Sequence, residues 1–531
     1  MELNLEKEIE ALTRSLVSIN SIDGKEKQIA DYIEKYLYDI DYFKKHPKNI
    51  INFKCEENRN SLLAYLKGKG QKTIILMGHI DTVDIKDYGK CINDAFNPDK
   101  LAKSLKKNFD LPNQVIKDID SNKYMFARGA LDMKAGVASM ISVFKYFANN
   151  LNELNGNLVL LLECDEEGNS LGVIKGLDEL IKLKKKEKLE YVACLNGDYS
   201  TSDDNKRYVY LGTVGKLLPG FVCIGKEAHV GDPYAGFDPN LLLSIVNKNI
   251  SLNPDFADKA DGKTSVPPIC LKQSDDKDLY TVQTALSAMS YFNYMLYKSS
   301  PNQVMNKCLS LGKTSFDETI NLLNQRYKTY CLNNNKKYTK LAFKTRVYCY
   351  SDWMKLLSKN PNFNKEISDY GKKLLKANPN IDNREYAYKL ICKSYEYYEL
   401  KQPVLIVFFG SSFYSSIETK DKKIVNAVND AITSVSKESK YDIETSYYYP
   451  YISDMSFMST KLSEKEVDEL TSNYPFKLNY PYQKIKEIDV PVVNVGTYGK
   501  DGHTYIERLE KRWSFVEAPN ITYLTIKNYL K

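Results

Sequence analysis

No apolar run in this 531-residue sequence approaches the roughly 18 residues that a membrane-spanning helix needs, which argues against a membrane protein. The first ten residues, Met-Glu-Leu-Asn-Leu-Glu-Lys-Glu-Ile-Glu, lack a basic start and an apolar signal core, so a cytoplasmic protein is expected. The ten cysteines are irregularly spaced and form no Cys-x-x-Cys pair. That pattern supports neither a thiolate zinc site nor a disulfide framework, and buried free thiols are expected. Neither sign of charge dominates: 75 basic against 68 acidic residues leave a net charge of +7. Lysine runs such as 182–188 are interrupted by acids and read as solvated helix faces, so no nucleic-acid partner is expected. There is no internal repeat and no low-complexity linker. Histidine is scarce as well, with four in the chain.

The apolar patterning that is present implies α/β architecture. Ile9, Leu12, Leu16 and then Ile29, Ile33, Leu37 have helical spacing, and residues 133–148 form a third helical pattern. Residues 61–66, 73–77, 158–162 and 192–195 are continuous apolar runs of strand length, as expected for a largely parallel sheet buried on both faces. Beyond residue 218 the character changes. Residues 220–225 read as a strand, and 280–298, 303–333 and 365–399 as mostly helical, with strand-like runs at 341–350 and 403–409. A helix at 421–436 and the run 490–495 resume the first pattern. The length exceeds one ordinary core. The expected domains are a first one from 1–218 and 416–531, split by an inserted α+β domain at 219–415.

Chemistry-bearing residues recur at the ends of the apolar runs. His79-Ile-Asp81 closes one, Glu166-Glu167 follows another, and Asp198 follows a third; Asp132 precedes a helical pattern and His503 lies near the C-terminus. Strand ends are where open α/β sheets place their sites. Each residue alone has an ordinary reading: an N-cap for Asp132, an acidic loop for Glu166-Glu167, a turn for Asp198, a cap before an apparent helix for His503. Together, two imidazoles and several carboxylates are a donor mixture suited to a pair of zinc ions.

The motifs that carry these residues are 16–26 Leu-Val-Ser-Ile-Asn-Ser-Ile-Asp-Gly-Lys-Glu, 78–83 Gly-His-Ile-Asp-Thr-Val and 127–136 Ala-Arg-Gly-Ala-Leu-Asp-Met-Lys-Ala-Gly. They continue with 165–170 Asp-Glu-Glu-Gly-Asn-Ser, 225–236 Gly-Lys-Glu-Ala-His-Val-Gly-Asp-Pro-Tyr-Ala-Gly and 496–507 Gly-Thr-Tyr-Gly-Lys-Asp-Gly-His-Thr-Tyr-Ile-Glu. As a set they resemble metallopeptidase family M-20, the di-zinc aminoacylases, carboxypeptidases and succinyl-diaminopimelate desuccinylases. The size, the long insert and 451–458 Tyr-Ile-Ser-Asp-Met-Ser-Phe-Met most resemble the bacterial arginine-utilisation proteins of that family.

The resemblance implies two zinc ions, with cobalt or manganese as alternatives. His79, Asp132 and Asp198 would hold one; Asp132, Glu167 and His503 the other, with Asp132 bridging. Asp81 would orient His79, and Glu166 would be the general base. His229 in the inserted domain would donate to the oxyanion, and Asn240 would help bind substrate. A substrate arginine in a late strand of the insert is not evident, since Arg346 does not match that position. The implied function is hydrolysis of an amide bond in a small peptide or N-acyl amino acid, linked to arginine catabolism, with a homodimer through the inserted lid left open. Two alternatives stay open: a non-catalytic binding or regulatory protein on the same fold, and a di-zinc aminopeptidase of a related family.

Overall fold

A computed structural model describes residues 4–202 and 204–531. Chain contacts divide it into two units, Met1–Val214 with Ser416–Thr460 and Pro481–Lys531, and Gly215–Ser415 with Lys461–Tyr480.

The first unit is built on an eight-stranded mixed sheet. Its strands run in the order Ile50–Glu56, Arg59–Leu66, Asn157–Glu163, Lys72–His79, Glu190–Asn196, Val492–Asn494, Arg207–Tyr210, Ile443–Ser446. The four central strands, from Asn157–Glu163 to Val492–Asn494, are mutually parallel. Their middles are continuously apolar because both faces are covered. Ile74, Leu76, Leu158, Leu160 and Leu162 pack into one core with Ile9, Leu12, Val137, Ile141, Phe144, Val428 and Ile526 of the helices Glu6–Val17, Ala135–Asn149, Lys422–Ser436 and Ala518–Leu530. On the opposite face Leu161 meets Gly176 of the helix Leu171–Glu187. In the parallel register His79 stands beside Glu163, and Met77 beside Asn196. His79, the loop after Glu163 and the loop after Asn196 therefore emerge at one edge of the sheet.

The second unit has its own sheet, in the order Ile269–Asp275, Ser287–Leu296, Pro219–Ile224, Val404–Phe409, Val347–Cys349, with Gly215–Leu217 pairing the far end of Ser287–Leu296. Alternate residues of its central strands face two cores. Phe221, Cys223, Leu405 and Val407 pack against the helices Pro239–Ile250 and Pro301–Asn333. Val222, Ile224, Val404 and Ile406 pack against Tyr350–Leu357, Phe363–Ala377 and Asn383–Ser394. The length of the insert thus goes into covering a second sheet face.

Three sequence expectations are corrected. Residues 280–298 contain the strand Ser287–Leu296, not a helix: no position of the strand is exposed, and aromatic and apolar residues occupy both of its faces, which masks the period of two. Residues 461–480, expected in the first domain, lie in the second unit, where Leu470 and Tyr474 sit in the core. His503 precedes the short strand Arg508–Glu510 rather than a helix.

Candidate metal centre

Two loops set the positions of the first donors. The chain leaves Lys72–His79 and returns a hydrogen bond from Ile80 N to Glu163 O at 2.8 Å. Asp165 adopts a left-handed conformation (φ 67°), its carbonyl accepts from Gly168, Asn169 and Ser170 N, and its Oδ2 accepts from Leu171 N. That closes the 165–170 loop at the head of its helix. Asp81 Oδ2 then accepts from Glu167 N at 3.0 Å, joining the His-x-Asp and Glu-Glu loops.

Asp132 lies at the centre, with each oxygen facing one imidazole. Its Oδ1 is 3.0 Å from His79 Nε2 and its Oδ2 is 2.7 Å from His503 Nε2. His503 Nε2 is also 3.0 Å from Glu167 Oε1, and His79 Nε2 is 4.0 Å from Glu166 Oε2. His79 Nδ1 is 3.2 Å from the Asp81 carbonyl oxygen and 3.5 Å from Asp81 Oδ1, so the carbonyl is the nearer acceptor. A proton on Nδ1 leaves the Nε2 lone pair free for a cation. Asp198 N donates to Asn494 Oδ1, and its carbonyl accepts from Asn494 Nδ2 at 2.7 Å. The close approach needs glycine at 496, where a Cβ would lie 1.5 Å from Asp198 O. Gly129 is similarly required before Asp132: its φ is 76°, and a Cβ would meet Thr82 Cγ2 at 2.6 Å.

The electrostatics are those of anions gathered without enough positive charge. Burial, then the Asp132 charge, pushes Asp198 up to about 7. Burial likewise raises Glu166 and Glu167, reinforced by their acidic neighbours. Asp132 goes the other way: burial opposes ionisation, but hydrogen bonds from His503 and His79 hold it well below the carboxylate range. His503 is raised to about 11 by its bonds to Asp132 and Glu167. Two imidazoles and four carboxyl groups gathered in one acid-rich site, where a cation would displace the imidazole protons and satisfy the carboxylates, fit a pair of divalent cations sharing Asp132.

Sequence reasoning missed the residues that hold Asp132 in place. Glu507 Oε1 accepts from Leu131 N at 3.0 Å and Asp132 N at 3.4 Å, and its Oε2 pairs with Arg128 Nη1 at 2.7 Å. Both side chains are buried. Each lies within a quoted motif, but nothing local says that they pair. Asp454, in the 451–458 motif, is also buried beside the site, and its charge acts on Glu163 and Glu166. His229 and Asn240 belong to the second unit. His229 is exposed, and its Nδ1 accepts from Gly231 N at 3.0 Å, which leaves the ring proton on Nε2. Asn240 sits in the first turn of Pro239–Ile250 with its Nδ2 donating to Asp275 Oδ2.

The profile of Peptidase family M20/M25/M40 matches residues 75–473, three quarters of the chain and every motif from the His-x-Asp loop through Asp454. The chain belongs to this family. Protein RocB of Bacillus subtilis (strain 168) is 30% identical over the whole chain and 96% of its own length. YqjN of the same organism, uncharacterised, is 33% identical over the whole chain and 98% of its length. Among solved structures, the M20 family metallo-carboxypeptidase Sso-CP2 from Sulfolobus solfataricus superposes with a TM-score of 0.53 at 11% identity. That match covers 98% of this chain and 99% of that one, and shows that the two share a fold. No helix among the described residues is long and apolar enough to cross a membrane.

Proposed function

We propose that this M20 protein is a di-zinc hydrolase that cleaves an amide bond in a small peptide or N-acyl amino acid. The observation that carries the proposal is Asp132, whose two oxygens each face a different histidine Nε2. His79, Asp132 and Asp198 would hold one ion, and Asp132, Glu167 and His503 the other; cobalt or manganese suits the same donors. The ions would supply Lewis acidity, lowering the pKa of water toward ~7 and polarising the scissile carbonyl.

The remaining work falls to side chains. Glu166, raised by burial, is a base able to take the proton of the attacking water and pass it to the leaving amine. Asp81 holds the His79 ring, and Glu507 holds the Asp132 backbone. His229 Nε2–H would donate to the developing oxyanion, and Asn240 would contact substrate. A lid role for the inserted unit, and a homodimer through it, belong to the same proposal. The resemblance to arginine-utilisation proteins supports a substrate met in arginine catabolism as the narrower form of this reading.

Elemental analysis beside turnover on a panel of N-acyl amino acids and dipeptides tests the proposal. Wild type should hold about two zinc ions, Asp132→Ala should lose them, and Glu166→Gln should keep them yet lose at least ~100-fold in kcat. A Glu166→Gln protein with full turnover would remove Glu166 as the base. Full metal loading without turnover of any amide would favour a binding protein on this fold.

A further inference from the structure

Two groups among the described residues bring three ligand atoms within 4.8 Å of one another: His79 with Asp132 and Glu167, and Asp23 with Glu26 and Asp81. The second group is all oxygen. Glu26 and Asp81 are both fully buried. Glu26 Oε1 accepts from Gly24 N at 2.8 Å, but its Oε2 has no hydrogen-bond partner. Asp81 Oδ2 is taken by Glu167 N, while Oδ1 makes no hydrogen bond and has His79 Nδ1 at 3.5 Å. Asp23, at the exposed side of the group, places Oδ1 2.8 Å from Arg59 Nη2.

Of the neighbouring cations, Arg59 bonds the outer carboxylate of the group and Lys134 is engaged elsewhere. Arg59 pairs with Asp23 and Asp165, and Lys134 Nζ donates to Ile19 O at 2.7 Å. Glu26 Oε2 and Asp81 Oδ1 are thus left as buried carboxylate oxygens without a hydrogen-bond partner, with the Arg59 charge reaching the group from the Asp23 side. Buried carboxylates in that arrangement demand a proton or a cation. Burial pushes Glu26 up to about 7, and the Arg59 charge offsets only part of that rise. Carboxylate oxygens without nitrogen or sulfur select hard ions.

We propose that Asp23, Glu26 and Asp81 form a third metal site, specific for a hard divalent cation of the calcium, magnesium or manganese class. It adjoins the histidine centre through Asp81 but shares none of its ligands, and it goes beyond the hydrolase reading. Through Asp81, whose other oxygen holds Glu167 N, the ion would brace the loop that carries Glu166 and Glu167.

The test is a calcium titration by calorimetry on full-length protein, stripped with chelator and then given zinc to saturation. Wild type should take up one calcium ion per chain beyond its zinc. Glu26→Gln and Asp23→Asn should each weaken that uptake at least about tenfold. Asp132→Ala should lose zinc and still bind calcium, so failure of the zinc centre and failure of this site are told apart. Three results would overturn the proposal: no calcium uptake by wild type, which assigns a proton to the Glu26–Asp81 pair; uptake unchanged in both carboxylate variants; or loss of calcium together with zinc in folded Asp132→Ala. Asp23 is partly exposed, so Asp23→Asn keeps the test decisive should Glu26→Gln fail to fold.

Discussion

Replacing Arg128 with methionine isolates the brace behind Asp132. The methionine keeps an apolar stem beside the Tyr88 ring, whose centroid is 5.1 Å from the guanidinium carbon, and removes the charge. Three contacts go with it: Nη1 to Glu507 at 2.7 Å, Nε to Asp84 O at 3.2 Å and Nη2 to Asp87 at 3.2 Å. Arg128 and Glu507 are 1% and 0% exposed, so the loss strands a buried carboxylate. Breaking one partner of such a pair costs about 3–5 kcal/mol. Burial has already raised Glu507 to about 7, so it can relieve the loss by taking a proton, which favours the lower end of that range. At roughly 2–4 °C per kcal/mol, the first unit should melt about 6–20 °C lower. Scanning calorimetry reads this, and Trp513 fluorescence reports on the same unit. The double variant Arg128→Met/Glu507→Gln keeps an amide oxygen for Leu131 N and carries no buried charge. It should recover most of the loss, to within about 2 kcal/mol of wild type. An Arg128→Met protein within 1 kcal/mol of wild type, or a double variant no better than the single, would refute the brace.

Asp118 offers a pH test away from the metal centre. Burial opposes its ionisation, but hydrogen bonds from Arg508 Nε at 2.8 Å and Lys500 Nζ at 2.9 Å hold its pKa below the usual 3.8. A depressed folded pKa contributes stability above 3.8 that is lost as pH falls through the folded value. Asp118→Asn should lose about 1–3 kcal/mol at pH 7 and show a flatter acid limb below about pH 4; identical urea melts for the two proteins at pH 7 would argue against the pair. In the second unit, Trp353 is fully buried and its Nε1 donates to Ser394 Oγ at 2.7 Å. Trp353→Ala should cost about 3–5 kcal/mol in that unit. Trp513 fluorescence should meanwhile report an unchanged transition for the other unit, since the chain's two tryptophans lie one in each.

Local pattern carried the first unit well. The continuous apolar runs at 73–77, 158–162 and 192–195 are strands, because a sheet buried on both faces demands apolar residues without alternation, and the order of strands and helices then implies α/β. The same rule failed at 280–298. There the strand Ser287–Leu296 pairs antiparallel with its neighbours in a sheet covered on both faces, and such a strand has the composition of a buried helix. The insert's length was legible, but its use was not: only the packing shows three helices spent on the second face.

The sequence by itself determined the kind of chemistry: two histidines and a set of carboxylates, several of them at the ends of apolar runs, within motifs that resemble one hydrolase family. Their types and their places after strands are local properties, and local periodicity records them. Tertiary structure alone decided how they combine. Asp132 meets His503 across 371 residues, and Arg128 meets Glu507 across 379. Asp81 turns one oxygen to Glu167 N and leaves the other toward the oxygen group it forms with Glu26 and Asp23. No spacing encodes such contacts, because they depend on which strands become neighbours. That choice is made by the burial of whole faces, not by the residues that the burial brings together.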